Sequence, residues 1–300
     1  MKKGALSCWL FPVTFFIGLL WILASCGGGA DRNKPKLMRN TPEFAYNEAK
    51  EAMSAIKIEK AISLTNEVMT KYPNSVQAQR ARILRVVLLT GLAHGYGDLA
   101  DAYVTGFENG GKNAGKLRST AFDFYRKKKN AVLSFSESCD YMIQNYSDKA
   151  DYVLECDFPS KEAPMNRLIE EVKKGNLLDS EQLKIAEEQE LREGVLVSLS
   201  TLLGAKGDRN QARKLLEEGS KPLDPAEFFV RAGRIFLDDQ QLFGRKMLNE
   251  VQYYRLFFQK AQECLDLAQK ILKDKPIKET QAAADQLKAD LEAVAKKGKT

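Results

Sequence analysis

Across 300 residues, 46 basic and 40 acidic side chains nearly balance, leaving a net charge of +6 and a single histidine. That mild excess lacks the concentrated positive charge of a nucleic-acid binder. One histidine and five scattered cysteines exclude a zinc site built from several histidines or from closely spaced thiols.

The chain opens as a secretory signal. Lys2 and Lys3 give a positive start, and Cys8 to Ala24 form an apolar run interrupted only by Pro12, Thr14 and Gly18. The run is about 17 residues, at the lower limit for crossing a bilayer, and no basic cluster follows it closely. Leu23-Ala24-Ser25-Cys26 then resembles the lipobox of bacterial lipoproteins. The resemblance implies a diacylglycerol on the Cys26 sulfur, cleavage before Cys26, and acylation of the new amino group by a palmitate-type chain. Each buried CH2 of such chains contributes roughly 0.8 kcal/mol to membrane binding. Gly27 in place of Asp implies, by the same analogy, delivery to the outer membrane on its periplasmic face. The expected division is a signal peptide over 1–25, lipidated Cys26 and a flexible tether over 26–41, and one helical domain over 42–300. The tether, from Gly27-Gly28-Gly29 to about Thr41, is rich in Gly, Asn, Lys and Pro. Loss of Lys2 and Lys3 lowers the charge from +6 to +4, and both tryptophans, Trp9 and Trp21, leave with the signal.

The remainder reads as an all-α chain. Long segments rich in Ala, Leu, Glu, Lys and Gln are separated by turn signals, and β-branched alternating runs are absent. Thr41-Pro42-Glu43 starts a helix, with a Thr cap and Pro at the first helical position. Its stripe of Ala45, Ala49 and Ala52 lets a second helix, carrying Ile58, Ala61, Ile62, Leu64, Thr65 and Val68, approach closely as a helical hairpin. Ala49, Ala61 and Pro73 are each twelve apart, as are the marker residues of the tetratricopeptide repeat, which this hairpin resembles. Ala45, Glu48 and Ala52 depart from the large residues of that family. Ser200 and Ala212, with Leu196, Leu199, Leu203 and Leu216 around Gly207-Asp208, repeat the spacing of twelve. A poorer copy lies around Ala261, Leu265 and Ala268. The resemblance implies a helical-repeat solenoid with a nonrepetitive middle.

That middle carries Gly91, Gly95, Gly97 and Gly106 within a helix over Val76 to Phe107. Each glycine costs about 1 kcal/mol relative to alanine there. They therefore mark a break, a close helix crossing, or backbone approached by a ligand. A long helix follows over Arg118 to Tyr146. The run Arg126-Lys127-Lys128-Lys129 reads as a solvated helix face, and Glu187, Glu188, Glu190 and Glu193 read as an exposed acidic one. Tyr253, Tyr254, Phe257 and Phe258 share a late helix face with Ala261, Cys264, Leu265 and Ala268, either as core or as the wall of an apolar pocket. Cys139 and Cys156 are close enough in sequence to bridge two antiparallel segments in a compartment that permits disulfides. Cys139, Cys156 and Cys264 can equally be small buried residues.

No catalytic constellation is legible. His94 has no nucleophile elbow beside it, no Walker or dinucleotide glycine pattern occurs, and Glu170-Glu171 and Asp238-Asp239 diverge as helix neighbours. The expectation is therefore a non-enzyme without cofactor, metal or nucleic-acid partner. Anchor and hairpins together resemble periplasmic lipoproteins of envelope assembly, including the BamD-like class. That implies a scaffold for an envelope or periplasmic protein partner. Gly91–Phe107, Ala121-Phe122-Asp123-Phe124-Tyr125 and Gly204-Ala205-Lys206-Gly207-Asp208 also resemble the T component associated with TRAP transporters. That family implies a small apolar or organic-acid ligand, a periplasmic binding-protein partner, and a pocket from Tyr96, Tyr103, Phe107, Tyr254 and Phe258.

Overall fold

The computed structural model describes residues 39–157, 167–205, 208–216, 219–243 and 251–297. They belong to the unit Arg39–Thr300; the signal, Cys26 and most of the expected tether lie outside the described residues. The fold is all-α, with ten α-helices and one 3-10 turn among the described residues.

Helix α1 (Pro42–Ser54) starts where its sequence requires. The Thr41 hydroxyl accepts a hydrogen bond from the Phe44 amide at 3.2 Å, and Pro42 occupies the first turn. Helix α2 (Ile58–Lys71) packs against it through Ala45, Ala49, Ala52, Ala61 and Val68, all buried. The short connection is tight. The Lys57 amide donates to the Ala52 carbonyl and the Ile56 amide to Met53, both at 2.8 Å. This is a Schellman closure with Ile56, at φ 58°, where glycine normally sits.

Helix α3 (Val76–Asn109) is the element around which the others gather. Ser75 caps it, accepting from the Ala78 amide at 3.0 Å. Most residues from Ile83 to Tyr103 are buried, so the helix is apolar on nearly every side and touches α1, α2, α4, α5 (Arg167–Lys173) and α6 (Ser180–Leu202). Helix α4 (Ala114–Gln144) returns along it after a 3-10 turn over Gly111–Asn113. Of the three readings of the glycine run, close crossing is the one realised. A Cβ on Gly194 would lie 2.1 Å from the Gly91 carbonyl oxygen and 2.7 Å from the Gly95 nitrogen, so α3 and α6 meet backbone to backbone. Thr90 and Ser198 share a buried hydrogen bond beside this contact.

A short helix follows α6 in the second region. Asp208 caps α7 (Arg209–Leu215), accepting from the Asn210 and Gln211 amides, and Ala212 and Leu216 are buried. Gly207 lies outside the described residues. Pro225 serves as the first residue of α8 (Pro225–Phe243), with the Asp224 carboxylate accepting from the Glu227 amide at 2.8 Å. Helix α9 (Val251–Asp274) packs along α8, and α10 (Lys278–Lys297) closes against both. Stacked rings tie these helices to α4: Phe135 on Phe236 at 4.3 Å between centroids, and Phe236 on Phe257 at 6.2 Å.

Two strands depart from the purely helical expectation. β1 (Val153–Glu155) pairs antiparallel with β2 (Ser220–Pro222), Leu154 opposite Lys221. Tyr152, Leu154 and Cys156 are buried while Val153 and Glu155 between them are only half-buried, a period of two that three residues are too few to announce.

Candidate functional site

Helix α6 has two unlike halves. Its C-terminal half is locked against α3. Its N-terminal half starts at Asp179, whose carboxylate accepts from the Gln182 amide at 2.9 Å while the Gln182 side chain accepts from the Asp179 amide at 3.1 Å. From there the helix turns Lys184, Ile185 and Glu188 to solvent, and Ile185 is 43% exposed. Two grooves open beside this half of the helix. One, about 440 Å³, is lined by Ile56, Ile58, Lys60, Lys184, Glu188 and Leu191 together with Lys57, Glu59 and Glu187. The other, about 590 Å³, runs between α6 and α4, past Phe124, Arg126, Lys127, Asn130, Leu183 and Glu187.

Glu187 belongs to both grooves. It pairs with Lys127, and its charge lies close to the Tyr96 hydroxyl. The Lys127 ammonium lies 5.2 Å from the Tyr96 ring centre and 5.1 Å from that of Phe124. Burial first, then the negative charges of Glu187 and Glu59, push the Tyr96 hydroxyl far above its ordinary range, so it serves only as a neutral donor. The expected acidic face is thereby corrected: Glu188 is exposed, whereas Glu187, Glu190 and Glu193 are half-buried. Ile56, at the mouth of the first groove, holds a left-handed backbone that costs a β-branched residue on the order of 1–2 kcal/mol.

The five aromatic residues expected to line one pocket are divided. Tyr96 and Tyr103 are buried on α3 and both pack on Phe124, at 6.2 and 5.6 Å between ring centres. Burial, then the charge of Glu187, pushes the Tyr103 hydroxyl up to about 12. Phe107 lies under the Arg118 guanidinium at 5.8 Å. Tyr254 and Phe258 are half-buried on α9, where Phe257 is the residue that enters the core. None of the five lines either groove beside α6.

The basic run does not form a solvated face. Four successive helix residues point in four directions. Arg126 pairs with Asp123, Lys127 with Glu187, and Lys129 lies 4.9 Å from the Tyr253 ring centre. Lys128 turns inward and pairs with Asp239 of α8 at 2.9 Å, with only 14% and 11% of the two side chains exposed. His94 of α3 joins this cluster. Burial pushes its imidazole below the ordinary value. The nearby Asp239, Asp98 and Asp238 charges oppose that, and Lys128 reinforces it. The second Asp239 carboxylate oxygen and both amide atoms of Gln240, which is fully buried, have no hydrogen-bond partner among the described residues. Such atoms require water or a polar ligand group. The sequence held one signal for the cluster: a lone histidine one turn from Asp98 on an otherwise apolar helix.

A second charged cluster clasps β1 to the first hairpin. Tyr46 donates to the Glu155 carbonyl at 2.8 Å, Lys50 and Arg80 both bind the Glu155 carboxylate, and Arg80 also reaches Asp151 at 3.0 Å. Burial alone would raise the Glu155 carboxyl, but the hydrogen bonds and charges of Lys50 and Arg80 hold it below its ordinary value. The clasp also bears on where Cys156, one candidate for a bridge with Cys139, sits. It keeps Cys156 beside α1, where burial and then the Asp157 charge push its thiol up to about 12. All three thiols in the described residues are free and buried.

Among the described residues, no group of three or more His, Cys, Asp and Glu side chains is placed to hold a metal ion, and no helix is long and apolar enough to cross a membrane. A scan against protein-family models finds no match, and searches of curated proteins and of solved structures find none.

Proposed function

We propose that this chain is a lipid-anchored, non-catalytic helical scaffold of the cell envelope, held at the membrane through Cys26 and binding a protein partner along the α6 ridge. The observation that carries this reading is the exposed Ile185 next to an open groove, lined by Lys184 and Glu188 of the same helix, whose wall mixes Ile and Leu with Lys and Glu. An apolar anchor ringed by both signs of charge suits a protein segment of similar mixed character better than a closed site suits a small molecule. The tetratricopeptide-like hairpins and the lipobox supply the analogy, and an outer-membrane, periplasm-facing location follows from it.

The test places a photoreactive residue at Lys184 in the membrane-bound chain. A crosslink to one protein partner is expected, reduced about tenfold by Ile185→Asp with the thermal midpoint unchanged, since a buried interface anchor contributes more than about 1 kcal/mol. Crosslinks that ignore Ile185→Asp would overturn the ridge as the binding surface. Cys26→Ala should move the protein to the soluble fraction; retention after signal cleavage would refute the lipid anchor.

A second reading is favoured by the open buried atoms of Asp239 and Gln240. Here the protein acts beside a TRAP-type transporter and its periplasmic binding protein, holding a small organic ligand. A small molecule that co-purifies and is lost on Asp239→Asn, with no Lys184 crosslink, would select this reading.

A further inference from the structure

We infer that Cys139 of α4 and Cys264 of α9 are a disulfide pair, formed on oxidation and joining α9 to the central helices. Both side chains are 0% exposed, and the two thiols are close enough to perturb one another. The contact is framed on every side. One residue from Cys139, Asp140 binds the Lys260 ammonium at 2.6 Å, and Lys260 sits one turn before Cys264 on α9. One turn before Cys139, Phe135 stacks on Phe236, which stacks on Phe257 of α9. Ala261 and Ala268, each one turn from Cys264, are also fully buried, and a Cβ on Gly233 of α8 would lie 3.3 Å from the Cys264 Cβ. Small side chains thus let α9 pack closely on α8 at this level, and the Asp140–Lys260 pair ties it to α4 beside the two thiols, the proximity a disulfide demands. Cys156 is excluded from the pairing because Lys50, Arg80 and Tyr46 hold its strand against α1.

The chemistry balances as thiol–disulfide exchange. One cysteine thiolate attacks a sulfur of a disulfide oxidant, forming a mixed disulfide and releasing one oxidant thiolate. The second cysteine thiolate then attacks the protein-side sulfur, forming the Sγ–Sγ bond and releasing the other. Two protein thiols are oxidised, two protons are lost, and the oxidant disulfide is reduced to two thiols. Burial, and then the contact with Cys264, raise the Cys139 thiol well above its ordinary value, so the folded pair reacts slowly. Oxidation is therefore expected while the α4–α9 contact is opening and closing during folding, with the packed geometry selecting the pair.

The location of this chemistry in the cell rests on the export reading, but the pairing does not. The full chain, unfolded and refolded in a mixture of reduced and oxidised glutathione, is quenched with acid, alkylated in denaturant and mapped by mass spectrometry. The expected product links the Cys139 and Cys264 peptides, with Cys156 alkylated before reduction. Cys156→Ser should retain the link and Cys264→Ala should abolish it. Reduction should lower the thermal midpoint by on the order of 10 °C, given the long loop closed. Free Cys139 and Cys264 in the refolded chain, or a Cys139–Cys156 link, would overturn the inference. A link formed in glutathione but absent from protein recovered from cells would support the pairing and count against export.

Discussion

The α3–α6 crossing and the α3–α4–α8 junction close two sides of the same helix by opposite means. At the crossing, side chains are removed: Gly91, Gly95 and Gly194 let two backbones touch, and one hydroxyl pair, Thr90 and Ser198, is the polar contact beside them. At the junction, charge is brought inside: Lys128 and Asp239 form a buried pair beside His94, and part of the cluster has no hydrogen-bond partner among the described residues. The crossing has no slack and no chemistry. The junction has hydrogen-bonding capacity to spare. A scaffold needs the first kind of contact to hold its surface in place. Only the second kind can respond to a ligand or to pH.

The largest expected effect tests the rigidity of the crossing. Gly194→Ala places a Cβ 2.1 Å from the Gly91 carbonyl oxygen, and neither backbone can retreat. Destabilisation of at least about 3 kcal/mol is expected in urea unfolding, near the upper end for overpacked sites. Gly115→Ala, at a helix position with nothing within 4 Å of the added carbon, should instead be neutral or stabilising by up to about 1 kcal/mol. Equal behaviour of the two variants would mean that α3 and α6 are not in backbone contact.

At the junction, the expected effect is of similar kind but reversible by a second change. Lys128→Met leaves the Asp239 carboxylate buried without its cation and should cost about 3 kcal/mol. Lys128→Met combined with Asp239→Leu removes both charges and should recover most of that loss. Recovery measured by the same unfolding midpoint identifies the pair as a matched burial. A double variant as unstable as the single one would show that another group depends on Asp239.

The contrast also shows what can be read in a sequence. Thr41, Ser75, Asp179 and Asp208 mark helix starts, because a cap needs only its own next turn. The glycine run marks α3 as unusual, but choosing a crossing over a break required Gly194, about a hundred residues away. Lys128 is indistinguishable from Lys127 and Lys129 until α8 is placed against α4. Cys139 is nearer to Cys156 in sequence, yet Cys264 is nearer in space, because a three-residue strand and an ion-pair clasp carry Cys156 elsewhere. Of the candidate pocket, burial of Tyr96 and Tyr103 follows from helical period alone. Their separation from Tyr254 and Phe258 is a matter of which helices meet.

The smallest expected effect is the pH response of the junction, and its sign follows from His94. Its folded imidazole is held below the ordinary value of about 6.5, chiefly by burial, so the unfolded chain takes up a proton first as the solution is acidified. Stability should therefore be constant for this group above about pH 7, fall as the pH drops through 6.5, and stop falling once the folded imidazole is protonated. Asp98 and Asp238, raised chiefly by burial, act with the opposite sign because the folded state binds their protons first. Glu155, held low by Lys50 and Arg80 against its own burial, contributes stability that is lost only as acid passes below the usual carboxylate range. Comparing urea midpoints of the native chain and His94→Gln at matched pH subtracts the Glu155 contribution and leaves that of His94 together with its own effect on Asp98 and Asp238. The two curves should run parallel above about pH 7 and change their separation below pH 6.5, as the native chain alone loses the stability tied to His94. Parallel curves throughout would mean that His94 titrates as it does in the unfolded chain, and the junction would then be open to water rather than closed around its charges.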